Sequence, residues 1–294
     1  MPTDARAHTR PGPAAAEAML GIVPLLCYGV GMDLQLSGKG AVVTGGSKGV
    51  GLAVVRTLLD EGMRVVAASR TVTPELAATG AIPVMVDLGT ASGAAQLVEA
   101  ALAALGGIDV LVNNVGIGDR APHVDGALLQ LAALPDTAWE QTFALTFYAP
   151  LRVTRAALPS LVERGGVVVN VSSAGARAVT AGPVPYNVAK AALNALTKVV
   201  AEQYGPSGVR AVTVSPGPIA TEVWTDPDGF IGRLAQAQGL AFEEFATQAR
   251  TALGAATGRI STPEEVARLV AVAASPSNVT GAEFAIDGGI VKHV

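Results

Sequence analysis

The chain has 294 residues, half of them apolar, 15% charged and 34 of them glycine, which excludes a disordered, collagenous or coiled-coil protein and suits one large α/β domain. A net charge of -4 with scattered Lys and Arg argues against a nucleic-acid surface. The single cysteine, Cys27, excludes a disulfide framework and a Cys-based metal cage, and His8, His123 and His293 show no ligand spacing, so a reducing, cytoplasmic setting without a metal is expected.

Near the amino end, the uncharged stretch Ala18–Met32 is fifteen residues long and broken by Gly and Pro. A spanning helix needs about 20 residues, so no membrane partner is expected. Arg6 and Arg10 precede the apolar Leu20–Cys27 run, and Gly29-Val30-Gly31 has the form of a cleavage site. The preferred reading is nonetheless a poorly ordered extension over residues 1–31, because Met32-Asp33-Leu34-Gln35-Leu36-Ser37 reads as the start of the domain.

From residue 40, β-rich apolar runs alternate with Ala/Leu segments of helical period. Strands are predicted at Ala41–Thr44, Arg64–Ala68, Ile82–Val86, Ile108–Val112, Val167–Val171, Val209–Val214 and near Phe284. Between them fall helices at Leu52–Leu59, Ala94–Leu105, one long stretch over Asp136–Glu163, Val188–Tyr204 and from Pro263, with a short helix after the second strand. This βαβα series predicts one α/β domain over residues 32–294, a doubly wound parallel sheet of about seven strands with helices on both faces. The stretch Gly217–Gly258 is too long for a connection and too apolar for a linker, so it is expected to hold helices that cap a pocket.

The first strand runs into Thr44-Gly45-Gly46-Ser47-Lys48-Gly49-Val50-Gly51 and then a helix. Glycines there permit a tight turn and let backbone N–H groups approach a pyrophosphate at the positive end of the helix, which in this βα setting points to a Rossmann-type dinucleotide site. The second strand ends in Ser69-Arg70-Thr71, without the acid that would meet the ribose hydroxyls of NAD. Arg70, Lys48 and the neighbouring hydroxyls suit a 2′-phosphate instead, so NADP(H) is the expected cofactor. Asp87-Leu88 follow the third strand, where Asp87 is placed to meet an adenine amino group.

Tyr186 and Lys190 stand four apart on a predicted helix, with Ser172-Ser173 upstream at a strand end. The shared face lets the ammonium lower the phenol below its usual value of about 10, giving a proton donor, and Ser173 can hold a carbonyl oxygen.

In these motifs the sequence resembles the short-chain dehydrogenase/reductase family, in its short single-domain branch, over about residues 36–290. The Thr44-Gly45-x-x-x-Gly49-x-Gly51 turn carries the resemblance, as do Asn113-Asn114-Val115-Gly116, Ser173 thirteen residues before Tyr186, and Lys190 four after it. Pro216-Gly217-Pro218-Ile219-Ala220-Thr221 and Asp287-Gly288-Gly289 complete it.

The resemblance implies that Tyr186 protonates a ketone oxygen as hydride arrives from nicotinamide, or deprotonates an alcohol in reverse. It implies that Lys190 binds the nicotinamide ribose, that Ser173 orients the substrate, and that Pro216, Gly217, Ile219 and Thr221 hold the carboxamide. Asn114, Val115 and Gly116 fall beside the adenosine ribose. One position departs from the pattern: a catalytic Asn that helps hold a water near the Lys falls on Thr146. Thr serves if the role rests on a backbone carbonyl freed at a helix kink, which its hydroxyl favours by bonding back along the helix.

Trp224, Phe230, Leu240 and Phe245 in the Gly217–Gly258 stretch face either pocket or sheet, with core the expected fate of most. The loop Ile117–Pro135 brings Arg120 and His123 toward the expected pocket mouth. An entrance with few charges suits a neutral ketone: a β-ketoacyl thioester, a polyketide-like ketone or a hydroxylated ring. The expected function is therefore NADP(H)-dependent ketone reduction; the alternatives are a nucleotide-binding regulator of the same fold and an NAD-linked alcohol dehydrogenase. By resemblance, the two long helices would pair chains into a homodimer or homotetramer.

Overall fold

Valine-rich segments recur at the spacing a parallel sheet needs, and in a computed structural model they build one. The structure describes residues 32–116, 131–179 and 182–292, so the N-terminal extension, Arg120 and His123 lie outside it. The described residues from Leu34 onward belong to one compact unit.

Strands β1 (Gly40–Thr44), β2 (Arg64–Ser69), β3 (Ile82–Met85), β4 (Val110–Asn113), β5 (Val167–Val171), β6 (Arg210–Pro216) and β7 (Glu283–Ile286) form a seven-stranded sheet in the order β3-β2-β1-β4-β5-β6-β7. All neighbours are parallel. β1, β4 and β5 are buried along their whole length, as strands covered on both faces must be. β3 is an edge, with Met85 71% exposed, and an edge is where a strand tolerates Pro83.

Successive side chains of each strand point to opposite faces, which divides the core in two. Val43, Val112 and Val169 pack with α1 (Gly49–Asp60) and α10 (Pro263–Ala274) through Val54, Leu58, Val266 and Val270. Val42, Leu111 and Val168 pack with α3 (Gly93–Leu105), α5 (Ala149–Arg164) and α6 (Val184–Tyr204) through Leu97, Val153, Leu161 and Val200. Each such buried side chain contributes about 1.5–3 kcal/mol over an exposed one. A short helix, α2 (Pro74–Ala77), follows β2.

The helix expected over Asp136–Glu163 is interrupted. α4 (Asp136–Phe143) passes through one wide π turn, Ala144–Tyr148, before α5 continues the chain. Pro150 gives the physical reason. It has no N–H for the Thr146 carbonyl four residues back, and its ring would collide with that carbonyl in a regular helix, so the turn widens.

The stretch after β6 forms α7 (Glu222–Thr225), α8 (Phe230–Ala237) and α9 (Phe242–Ala252). Here the expectation of core burial is corrected: Trp224, Phe230, Leu240 and Phe245 are only half-buried and belong to neither face of the sheet core. α8 and α9 pack on each other, burying Ile231, Ala235 and Ala246. Among the described residues no helix is long and apolar enough to cross a membrane.

Candidate active site

Strand order reverses between β1 and β4, and in open α/β sheets the ligand crevice lies outside the carboxyl ends of the strands at such a point. Thr44 closes β1 there with a fully buried side chain. Its hydroxyl donates to the Val112 carbonyl at 3.4 Å and accepts from the N–H groups of Asn114 and Val115 at 2.9 and 3.1 Å. The Asn114 amide donates to the carbonyls of Thr44 at 3.0 Å and Gly45 at 3.3 Å, locking the glycine turn to the end of β4. A Cβ at Gly51 would stand 2.0 Å from the Gly45 carbonyl oxygen, so only glycine allows this closure. Gly49 has φ +54° and lies against the Thr221 methyl group. Thr44, Gly49, Gly51 and Thr221 thus shape the crevice from outside its walls.

The first of two adjoining cavities has a volume of about 590 Å³. Gly45, Ser47 and Lys48 wall one side, Ser69 and Arg70 the end of β2, and Asp87 and Leu88 the loop after β3. Asn114 and Gly116 wall this cavity and the second one alike. The first turn of α1 holds no acidic residue, so its N-terminal N–H groups favour an anion. A turn that excludes any Cβ, an acid-free helix start and two cations fit a dinucleotide. The Ser69 hydroxyl donates into its own loop, to the Thr71 carbonyl at 2.7 Å, and the Asp87 carboxylate accepts from the Gly89 N–H at 2.9 Å. Lys48 meets Glu222 at 2.8 Å. Glu222, Thr73 and Leu145 also line this cavity and were not singled out from sequence. Thr73 had a local signal: it caps α2, accepting from the Leu76 N–H, and donates to the Ser47 carbonyl at 2.9 Å. Glu222 had none.

The second cavity, about 170 Å³, gathers Ser173, Tyr186 and Lys190 with Val50, Pro216, Gly217 and Ile219. Ser173 leaves β5 in extended backbone and accepts from the Gly175 N–H at 3.1 Å. Its side chain also hydrogen-bonds that of Tyr186. One turn further along α6, Lys190 is 3% exposed and donates to the Val171 carbonyl at 2.6 Å. Burial pushes the Tyr186 phenol up to about 12, with the Ser173 hydrogen bond pulling the other way, and burial pulls Lys190 down to about 8. The expected lowering of the phenol is therefore corrected: at this site loss of hydration outweighs the Ser173 hydrogen bond.

The wide turn before α5 carries Thr146 into the same region. Its hydroxyl and the Lys190 ammonium each lie 4.0 Å from the point where a Gly116 Cβ would stand. Thr146 is fully buried, and among the described residues its hydroxyl has no hydrogen-bond partner. On the opposite wall, the segment from Pro216 to Thr221 is held by Ser261, which donates its N–H to the Pro218 carbonyl at 3.1 Å and accepts from the Ala220 N–H at 2.8 Å. Asp287 closes the wall by accepting from the N–H groups of Gly289 and Val291 at 2.8 and 2.9 Å.

Known proteins are similar to this chain in sequence and in fold. A family model described as enoyl-(acyl carrier protein) reductase matches residues 45–291. The 3beta-hydroxysteroid dehydrogenase 2 of Eggerthella lenta is 31% identical over 266 residues, covering 86% of this chain and 95% of that protein. The 3-alpha-(or 20-beta)-hydroxysteroid dehydrogenase of Mycobacterium bovis is 33% identical over 271 residues, covering 88% and 92%. The structure of L-sorbose reductase from Gluconobacter frateurii, complexed with NADPH and L-sorbose, superposes with a TM-score of 0.78 at 28% identity, covering 90% of this chain and 100% of that one. With the sheet order, the crevice and these matches in agreement, the chain belongs to the short-chain dehydrogenase/reductase family of oxidoreductases, whose members bind a nicotinamide cofactor.

Proposed function

We propose that this protein transfers hydride between NADP(H) and a neutral ketone or secondary alcohol, with Tyr186 as general acid in reduction and general base in reverse. The observation that carries the reading is the meeting of Ser173, Tyr186 and Lys190 in a cavity that adjoins the dinucleotide crevice through Asn114 and Gly116. The bound nicotinamide supplies the hydride. Tyr186 holds the proton at its hydroxyl, Ser173 orients the substrate oxygen beside it, and Lys190 places a positive charge under both and reaches the cofactor ribose. Thr146 flanks Lys190 at the position where proton resupply enters. Gly45, Ser47, Gly49, Val50 and Gly51 receive the pyrophosphate side, Lys48 and Arg70 the 2′-phosphate, and Asn114 to Gly116 the adenosine ribose. Pro216, Gly217, Ile219 and Thr221 hold the carboxamide.

Lys190 is the one charged side chain among the described residues lining the second cavity, which supports a neutral substrate such as a 3-oxoacyl thioester, a polyketide-like ketone or a ring alcohol. The named activities of the hydroxysteroid and L-sorbose relatives support the same class. Exposed Val162 on α5 and Val188 and Val199 on α6 support pairing of these helices into a homodimer or homotetramer.

The test is NADPH oxidation against a ketone panel, with Tyr186→Phe alongside. The expected result is turnover in the wild type and a loss of about 10²–10⁴-fold in the variant. Tight NADPH binding with turnover in neither protein would replace the enzyme with a nucleotide-binding regulator. The Glu222 carboxylate beside Lys48 favours a second reading, an NAD-linked alcohol dehydrogenase. Arg70→Ala decides between the two: it raises the Michaelis constant for NADPH about tenfold or more if the guanidinium takes a 2′-phosphate, and barely moves it otherwise.

A further inference from the structure

The dinucleotide crevice carries a feature that its proposed use does not require. Among the described residues, four charged side chains line the larger cavity: Lys48 and Arg70 are cationic, Asp87 and Glu222 anionic. Asp87 spends one carboxylate oxygen on its own turn, accepting from the Gly89 N–H at 2.9 Å. Glu222 instead reaches across the crevice to Lys48, 174 residues away in sequence, at 2.8 Å. A site for a polyanion gains nothing from a carboxylate on one of its two cations.

The position of Glu222 is fixed by its surroundings. Thr221, just before it, lies against Gly49 of the glycine turn. Ala220 donates its N–H to Ser261 at 2.8 Å, and the Glu222 carbonyl accepts from the Asp226 N–H at 3.1 Å. The backbone therefore holds Glu222 at the rim of the crevice, and from there its exposed side chain reaches Lys48.

NADP(H) and NAD(H) differ by a single group, the phosphate on the adenosine ribose. We propose that Glu222 is a specificity-determining residue: its carboxylate competes with that phosphate for Lys48 and so narrows the preference for NADP(H) over NAD(H). This rests on the reading of the crevice as the cofactor site and of Lys48 and Arg70 as its phosphate-side cations. Arg70 answers the phosphate without competition, and Lys48 must exchange one anion for another. Both partners are largely exposed, with side-chain exposures of 48% and 63%, so the competition is modest and screened by salt.

Isothermal titration of the full chain with NADPH and with NADH tests this in wild type, Glu222→Gln, Lys48→Ala and the double variant. Glu222→Gln is expected to tighten NADPH about three- to fivefold while NADH stays within about twofold. The gain disappears when Lys48 is already Ala, and it shrinks at high salt. Equal tightening of both nucleotides, or no tightening, overturns the proposal and leaves the cofactor site standing. Failure of the wild type to bind either nucleotide overturns the reading of the crevice, and the proposal with it. Matching melting temperatures across the set establish that the folds are equivalent.

Discussion

The Lys190 ammonium lies 5.5 Å from the centre of the Tyr186 ring and donates to the Val171 carbonyl at 2.6 Å, so the end of β5 fixes a cation beneath the phenol. Burial sets their order of titration, with Lys190 near 8 and Tyr186 near 12. The phenol keeps its proton throughout the neutral range, and the charge lost first is the ammonium. Ketone reduction should therefore fall as pH rises through about 8. Lys190→Met should show a lower, flat profile over the same range. A wild-type rate that stayed level to pH 10 would contradict this order.

The same two groups tie stability to pH, with opposite signs. Lys190 titrates near 8 in the fold against 10.5 as an ordinary lysine, so between these values the unfolded chain binds more protons and stability rises with pH. Tyr186 titrates near 12 against 10.0, so between these values the folded chain binds more protons and stability falls with pH. Melting temperatures of wild type minus Lys190→Met should climb from pH 8 to 10, and those of wild type minus Tyr186→Phe should drop from pH 10 upward. Differences that stay flat with pH would show that neither group is buried as described.

Thr146 sits in the turn that Pro150 forces open, with a buried hydroxyl that finds no partner among the described residues. Such a hydroxyl costs stability rather than adding it. Thr146→Val, of nearly the same shape, should leave the melting temperature unchanged or raise it. If the widened backbone rather than the side chain serves proton resupply, turnover in Thr146→Val stays within about tenfold of wild type, the lower bound for losing a general-acid route being about 10². Thr146→Asn should then raise turnover by well under a hundredfold. A larger gain would mean that the native chain lacks a group it needs.

These features differ in how far they can be traced from residue types alone. Val167–Val171 matches its predicted span because four β-branched valines, interrupted only by Asn170, suit a central strand. Tyr186 and Lys190 were legible because one helix turn sets them side by side, and Ser173 because the family resemblance places a Ser at that spacing before the Tyr. The bend at Thr146 is present, but its hydroxyl has no partner among the described residues and so does not bond back along the helix as expected; the cause is Pro150, four residues on. The shift of Tyr186 was not legible, since its sign depends on how much water the packed site excludes. Glu222 was not legible either, because its contact with Lys48 joins segments that only the folded sheet brings together. The half-buried fate of Trp224 and Phe245 follows from α8 and α9 packing on each other, a choice that periodicity leaves open.

Beneath the active-site end of α6 runs a buried polar chain that joins three strands and two helices. The Asn113 amide donates to the Asn170 side-chain oxygen and to the Thr154 hydroxyl, each at 2.9 Å. The Asn170 amide donates to the Thr197 hydroxyl at 2.9 Å, which also accepts from Thr213 at 2.9 Å and donates to the Leu193 carbonyl at 3.1 Å. Each of these side chains is at most 2% exposed, so a broken link cannot be repaired by water at the surface. Asn170 is the member with a link on both sides. Asn170→Leu, similar in volume, leaves an Asn113 N–H without its acceptor, at about 1–3 kcal/mol, and takes one of two donors from Thr197, at about 1, so it should cost about 2–4 kcal/mol. Thr213→Val removes only a donor at the end of the chain, and the Thr197 hydroxyl keeps its other bonds, so its cost should be near 1 kcal/mol. Urea denaturation of the two variants checks the order. Equal costs would mean that the chain is a set of independent contacts rather than a connected brace for α6.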